Sequence, residues 1–141
     1  MSEIDDLIRD FADDVPHYLS TAIVDMESGL GVGSYAADPE FDASAANAAY
    51  TDFVKANRKA LDILGADPLD TTDILITTNG MYLLIRELSE DYYMGSAVSQ
   101  DGNLALVRKK MEQYEDAFLE VLPGAEPESA TSDTSATGLA S

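Results

Sequence analysis

The chain has 141 residues, 45% of them apolar, enough for one domain that buries a core without disulfide or metal support. Cysteine is absent, which excludes a bridge, a thiolate nucleophile and a thiolate zinc site and fits a reducing cytoplasm. With 27 acidic against 8 basic residues the formal net charge is -19, which opposes nucleic acid and anionic lipid, since binding to them needs Lys and Arg to displace counterions.

The first ten residues, MSEIDDLIRD, have neither a basic flank nor a continuous apolar run and do not read as a secretory signal. Nowhere does an apolar run reach the roughly eighteen residues of a membrane span. A soluble cytoplasmic protein with no membrane insertion is expected. Ser2 can cap a first helix, with Glu3, Asp5 and Asp6 in the turn where the helix dipole favours acids. Ile4, Leu7, Ile8 and Phe11 then repeat at helical spacing, and Pro16 stops the run.

Tyr18 to Met26 is β-branched and apolar, Glu27-Ser28-Gly29 supplies a turn, and Leu30 to Ala36 resumes as a strand, which makes a hairpin. After Asp38-Pro39 a long Ala-rich helix is predicted from Asp42 or Ser44 to Leu64, with Gly65 as its stop. Ala46, Ala49, Phe53, Ala56, Ala60 and Leu64 form one line on it, and Tyr50, Val54 and Leu61 lie beside that line. At about 1.5 Å per residue this helix is roughly 35 Å long, longer than an eight-residue strand of about 27 Å. Part of it must overhang the sheet, and its small side chains let the sheet or a second helix come close.

Thr71 to Thr78 reads as a strand, Asn79-Gly80 as a tight turn and Met81 to Leu88 as the antiparallel return. Ser89-Glu90-Asp91 turns the chain into an inner strand, Tyr92 to Ser99. Asp101-Gly102-Asn103 leads into a last helix marked by Leu104, Val107, Met111, Tyr114, Phe118 and Leu122, closed by Pro123-Gly124. Beyond it the chain is Ser, Thr, Ala and acid with a lone Leu139, too little apolar surface to offset the entropy of ordering. The organisation is therefore a domain over 1–122 and a disordered acidic tail over 123–141. The order helix, two strands, helix, three strands, helix predicts an α/β sandwich (α+β) on a five-stranded antiparallel sheet.

Catalytic chemistry is sparse. His17, the only histidine, has no nucleophile or orienting group recognisable beside it in the sequence. The pairs Asp5-Asp6 and Asp13-Asp14, and the series Asp67, Asp70, Asp73, lack the spacing of a calcium loop and read as solvated faces and caps. Gly29, Gly31 and Gly33 open no helix and precede no Lys, so they read as close packing and no phosphate cradle. No metal, cofactor or catalytic residue is expected. Lys55, Arg58 and Lys59 cluster on the long helix, where Asp52 and Asp62 could pair with them or an acidic partner could dock. Arg108, Lys109 and Lys110 stand near the start of the last helix, where the dipole does not favour cations.

The hairpin TAIVDMESGLGVGSY with Gly29-Leu30, the Ala-rich helix, the pair DILITTNGMYLLIREL, and SAVSQDGNLALVRKKM with Asn103, Leu104 and Val107-Arg108 follow one another in an informative order and spacing. From about Ile4 to Leu122 the chain resembles the roadblock / dynein light-chain family. The resemblance implies strand order 2-1-5-4-3, with the middle helix on one face and the terminal helices on the other, a profilin-like outline. It implies a homodimer in which the third strands meet edge to edge through Asp73, Ile74, Leu75, Ile76, Thr77 and Thr78. The middle helices would lie antiparallel, with Ala46, Ala49, Tyr50 and Phe53 in the interface. A long apolar edge left open would independently call for cover.

Bacterial and archaeal members of that family are often partners of small Ras-like GTPases, without an active site of their own. By that likeness Asn47, Thr51, Asp52, Lys55, Arg58, Lys59 and Asp62 would face the partner, and the chain would be a non-enzymatic adaptor or scaffold. The competing reading is a small-molecule sensor of PAS-like or profilin-like outline, with a pocket lined by Tyr82, Tyr92 or Tyr93. The acid excess serves solubility, and it also suits a salt-rich cytoplasm in which ions screen self-repulsion. On the salt-adapted reading the melting temperature rises between low and molar salt; a melting curve indifferent to salt overturns it.

Overall fold

The apolar alternation along the strands decides which helix covers which face. A computed structural model describes residues 3–41 and 44–123. The elements are α1 (Glu3–Asp13), β1 (Tyr18–Asp25), β2 (Gly31–Ala36), α2 (Ser44–Ile63), β3 (Ile74–Thr77), β4 (Met81–Glu87), β5 (Tyr92–Ser99) and α3 (Leu104–Val121). The strands form one sheet in the order β2-β1-β5-β4-β3, with every neighbour antiparallel. The topology is the one implied by the resemblance. The tail from 124 onward, Ser2 as a helix cap and Asp42 as a helix start lie outside the described residues. Among the described residues no helix is long and apolar enough to cross a membrane.

On one face Ile23, Leu84, Met94 and Val98 meet Ile4, Ile8 and Phe11 of α1 and Val107, Met111 and Phe118 of α3. Phe11, Tyr114 and Phe118 stack edge-on or tilted, with centroids 5.5 to 6.5 Å apart. Asn103 caps α3 by accepting a hydrogen bond from Leu106 N at 3.1 Å. The Tyr114 hydroxyl donates to Asp14 Oδ2 at 2.6 Å, and burial followed by that bond pushes its pKa up to about 12.

The opposite face carries a thinner core, made of Ala22, Val24, Met26, Ile85 and Tyr93 from the sheet side and Val54 from α2. Only Thr51 and Val54 of α2 are buried. The predicted apolar line of α2 therefore points away from the sheet. Ala46, Ala49, Ala56 and Ala60 are exposed, Phe53 is half in solvent, and Ile63 and Leu64 are 74% and 78% exposed.

Two predicted boundaries are corrected. The strand expected over Thr71 to Thr78 pairs only from Ile74 to Thr77. Asp73 is held by Arg108 before it, and the Thr78 hydroxyl accepts from Gly80 N and Met81 N after it. The turn at Asn79-Gly80 forms, but with no positive φ at either residue; Thr78 supplies the closure that a mirror-image turn would have given.

The two sheet edges are treated differently. At β2, Gly33 lets α1 come so near that a Cβ there would stand 2.9 Å from Ile4 Cγ2. That approach brings Asp5 Oδ1 to 3.1 Å from Ser34 N, which caps an outward peptide group of the edge. At β3 the hydrogen-bonded alternation begins with Thr78 N bonding Met81 O, so the peptide groups of Leu75 and Thr77 face outward. Gly33→Ala is expected to cost about 1–3 kcal/mol by forcing α1 off the edge. Gly80→Ala, where an added Cβ meets nothing within 4 Å, should stay within about 0.5 kcal/mol. Urea unfolding at one protein concentration measures both.

Candidate functional site

Three features converge on the α2 side: an exposed apolar seam, an open strand edge and a cleft. The helix is tied down by two polar clamps. Near its start the Asn47 carbonyl accepts from the Tyr93 hydroxyl at 2.8 Å and from Thr51 Oγ1 at 2.7 Å, and Thr51 Oγ1 lies 3.3 Å from the same Tyr93 hydroxyl. Burial, offset in part by the bond to Thr51, raises the Tyr93 pKa. Toward its end Arg58 Nε donates to Glu87 Oε1 at 2.7 Å, and Arg58 Nη1 reaches Glu90 O at 3.1 Å. Asn57 Nδ2 donates to Thr71 Oγ1 at 2.8 Å and joins the helix to the segment before β3.

Those clamps correct part of the expected partner surface. Thr51 is buried, at 2% exposure, and serves the Tyr93 clamp, so it presents nothing outward. Arg58 is committed within the chain to Glu87, neither to Asp52 nor to Asp62. Asn47 is half-buried at the cleft wall. Asp52, Lys55, Lys59 and Asp62 are exposed and share one side of α2. Of the expected dimer residues, Ile74, Leu75, Ile76 and Thr77 lie on the β3 edge and Ala46, Ala49, Tyr50 and Phe53 on the helix flank, whereas Asp73 and Thr78 fall outside β3.

Arg108 has a reason to stand at the start of α3 despite the dipole. Its Nε and Nη2 grip Asp73 Oδ2 and Oδ1 at 2.8 and 3.3 Å and hold the approach to β3. The sequence shows neither this pairing nor that of Arg58, because both bridge elements about thirty residues apart. Local spacing gives no sign of such partners. His17 sits in the turn before β1 at φ 64, exposed, its carbonyl accepting from Ser99 N.

The cleft, about 770 Å³, opens beside the first half of α2. Its floor is small and apolar, with Ala22, Gly95, Ala97, Leu83 and Met81 among the lining residues, and Tyr50, Tyr93 and Phe41 on its walls. Tyr82, Tyr92 and Tyr93, the alternatives for a pocket lining, separate by strand parity. Tyr93 reaches the cleft, while Tyr92 and Tyr82 pack on the α1 and α3 side. There the Tyr92 hydroxyl donates to Pro123 O at 2.7 Å.

No protein-family profile and no curated protein matches the sequence. Solved structures match it in shape. A roadblock/LC7 domain from Streptomyces avermitilis superposes at a TM-score of 0.72 with 18% identity, over 82% of this chain and 94% of that one. MglB from Myxococcus xanthus gives 0.73 with 14% identity, over 82% and 91%. A structure of MglB with a tetrameric arrangement gives 0.76 with 12% identity, over 87% and 90%. The chain has the roadblock/LC7 fold.

The Arg58 clamp carries a measurable load. The Glu87 side chain is 6% exposed and its Oε2 has no hydrogen-bond partner among the described residues, so Arg58 is what offsets its charge. Arg58→Ala is expected to destabilise the protein by about 3 kcal/mol, because it strands a buried carboxylate. The double variant Arg58→Met/Glu87→Leu, which removes both charges, should fall within about 1 kcal/mol of the parent. Denaturant unfolding at fixed protomer concentration compares them.

Proposed function

We propose that the chain is a non-enzymatic homodimeric adaptor or regulator that binds a small Ras-like GTPase, or a related signalling complex, through its paired α2 helices. The observation that carries this reading is the juxtaposition of an unpaired β3 edge with an α2 flank whose apolar residues point to solvent, on a sheet whose other edge is capped by Asp5. Exposed apolar surface of this extent beside a free edge suits a self-complementary twofold contact. The roadblock/LC7 fold supports the reading, and so does the tetrameric arrangement of one similar MglB structure. A cytoplasmic setting agrees with the absence of cysteine.

Asp52, Lys55, Lys59 and Asp62 form the polar strip that would meet the GTPase. The two lysines are exposed and make no salt bridge among the described residues, so they are available to an acidic surface. The cleft with Tyr93 on its wall favours a second reading, a small-molecule sensor. A thermal-shift screen of metabolites separates the two, since only a sensor gains stability from a small ligand.

Size-exclusion chromatography with light scattering is expected to give twice the 15.1 kDa of one chain. Ile76→Lys should shift that mass toward the monomer. Lys55→Glu/Lys59→Glu should keep the dimer and weaken capture of a GTP-binding protein from source lysate by on the order of tenfold. A monomeric parent that recovers no nucleotide-binding protein overturns the proposal.

A further inference from the structure

The sheet face beneath α2 is covered at one end only. Apart from the Asn57–Thr71 hydrogen bond ahead of β3, the polar and close contacts of α2 lie where the β1–β2 and β4–β5 turns meet. Asn47 stands against Gly31, Ala48 against Gly29, Thr51 against Tyr93, and Arg58 against Glu87 and the carbonyls of Ser89 and Glu90. The other end of the same face, from Ala36 and Ser20 through Ala97 to Leu83 and Met81, is the open floor of the cleft. Meanwhile α2 runs past what it covers. It starts over β2, passes β4 at Arg58 and reaches toward β3 at Asn57, so its last turn, with Ile63 and Leu64 at 74% and 78% exposure, overhangs on the β3 side.

Symmetry relates the bare floor to the overhang. Two copies joined by antiparallel β3 strands share a twofold axis normal to the sheet. Such an axis keeps the same face uppermost and exchanges the two ends of the strands. A second α2 therefore lies on the same face, at the end that the first α2 leaves bare, and its overhanging turn is the part that crosses the axis.

The geometry points to a cleft completed in trans, in which the partner's Ile63 and the partner's Leu64 close over Met81 and Leu83, with the reciprocal contact across the axis. The surfaces agree in chemistry. From Ile74 to Ile85 no charged residue occurs, and the overhanging pair is wholly apolar. This inference rests on the homodimer reading and adds to it a named occupant for the cleft.

The chain has no cysteine, so introduced thiols report contacts without interference. Leu64→Cys protein is mixed with Met81→Cys protein and oxidised. A 64–81 disulfide should form in preference to the pairing of Leu64→Cys with Gln113→Cys, which lies on α3. Light scattering on the parent protein is read separately. A dimer with no preference for 64–81 overturns this inference and leaves the homodimer standing, whereas a monomer overturns both. Leu64→Asp, at an exposed site, should keep the circular dichroism of the parent and weaken dimerisation at least about tenfold; unchanged dimerisation overturns the inference. It is overturned as well if Met81→Cys pairs with a thiol placed at Leu139, which would make the chain's own tail the occupant, or if denatured dimer releases a stoichiometric small molecule.

Discussion

A narrow attachment of α2 governs the molecule. A helix of 20 residues is fastened by two buried side chains, two polar clamps and the Asn57–Thr71 hydrogen bond. On the other face α1 and α3 bury a continuous aromatic and aliphatic core, with Phe11 and Phe118 at 0% exposure. Apolar burial contributes roughly 1.5–3 kcal/mol for each large side chain, so most of the stability resides on that side. The α2 side needs only enough contact to orient the helix. Because burial there is slight, polar geometry sets the orientation, and the apolar flank remains available for another surface.

The basic residues divide by the same logic. All four arginines act within the chain: Arg9 lies 5.0 Å over the Tyr35 ring, Arg58 holds α2 to β4, Arg86 holds β4 to α3, and Arg108 holds α3 to the approach of β3. The planar guanidinium suits such fixed, multidentate contacts. The four lysines make no salt bridge among the described residues. In a chain of net charge -19, the arginines thus fix the junctions between elements, and the lysines interrupt the acidic surface.

Much of the fold was legible because it is written locally. Ile4, Ile8 and Phe11 share a helical face, Asn79-Gly80 breaks between two apolar runs, and Val107, Met111 and Phe118 share another helical face. The site was less legible. The apolar line on α2 is periodic whether it meets a sheet or solvent, and only Thr51 and Val54 reveal which side faces inward. Thr51 reads as an outward residue in the sequence, because a buried hydroxyl beside a tyrosine leaves no trace in spacing. Arg58 likewise reads as part of the helix's own charge pattern, because its partner Glu87 is set by the crossing of α2 over β4. Strand order itself came from resemblance, since alternation names faces and does not name neighbours.

Electrostatics bears on where two such acidic chains could meet. Bringing together two surfaces of like charge is opposed at every distance shorter than the Debye length, about 8 Å at physiological salt. A contact is favourable only where charge is locally sparse and apolar area is removed from water. Ile74 to Ile85 carries no charge, and the α2 flank of Ala46, Tyr50, Phe53, Asn57, Ala60 and Leu64 carries none either. The acidic residues of α2, Asp52 and Asp62, lie on the side turned away from that flank. That stretch is therefore where a second such surface would meet the least repulsion, and concentrated salt would screen what the remainder of the acidic surface exerts.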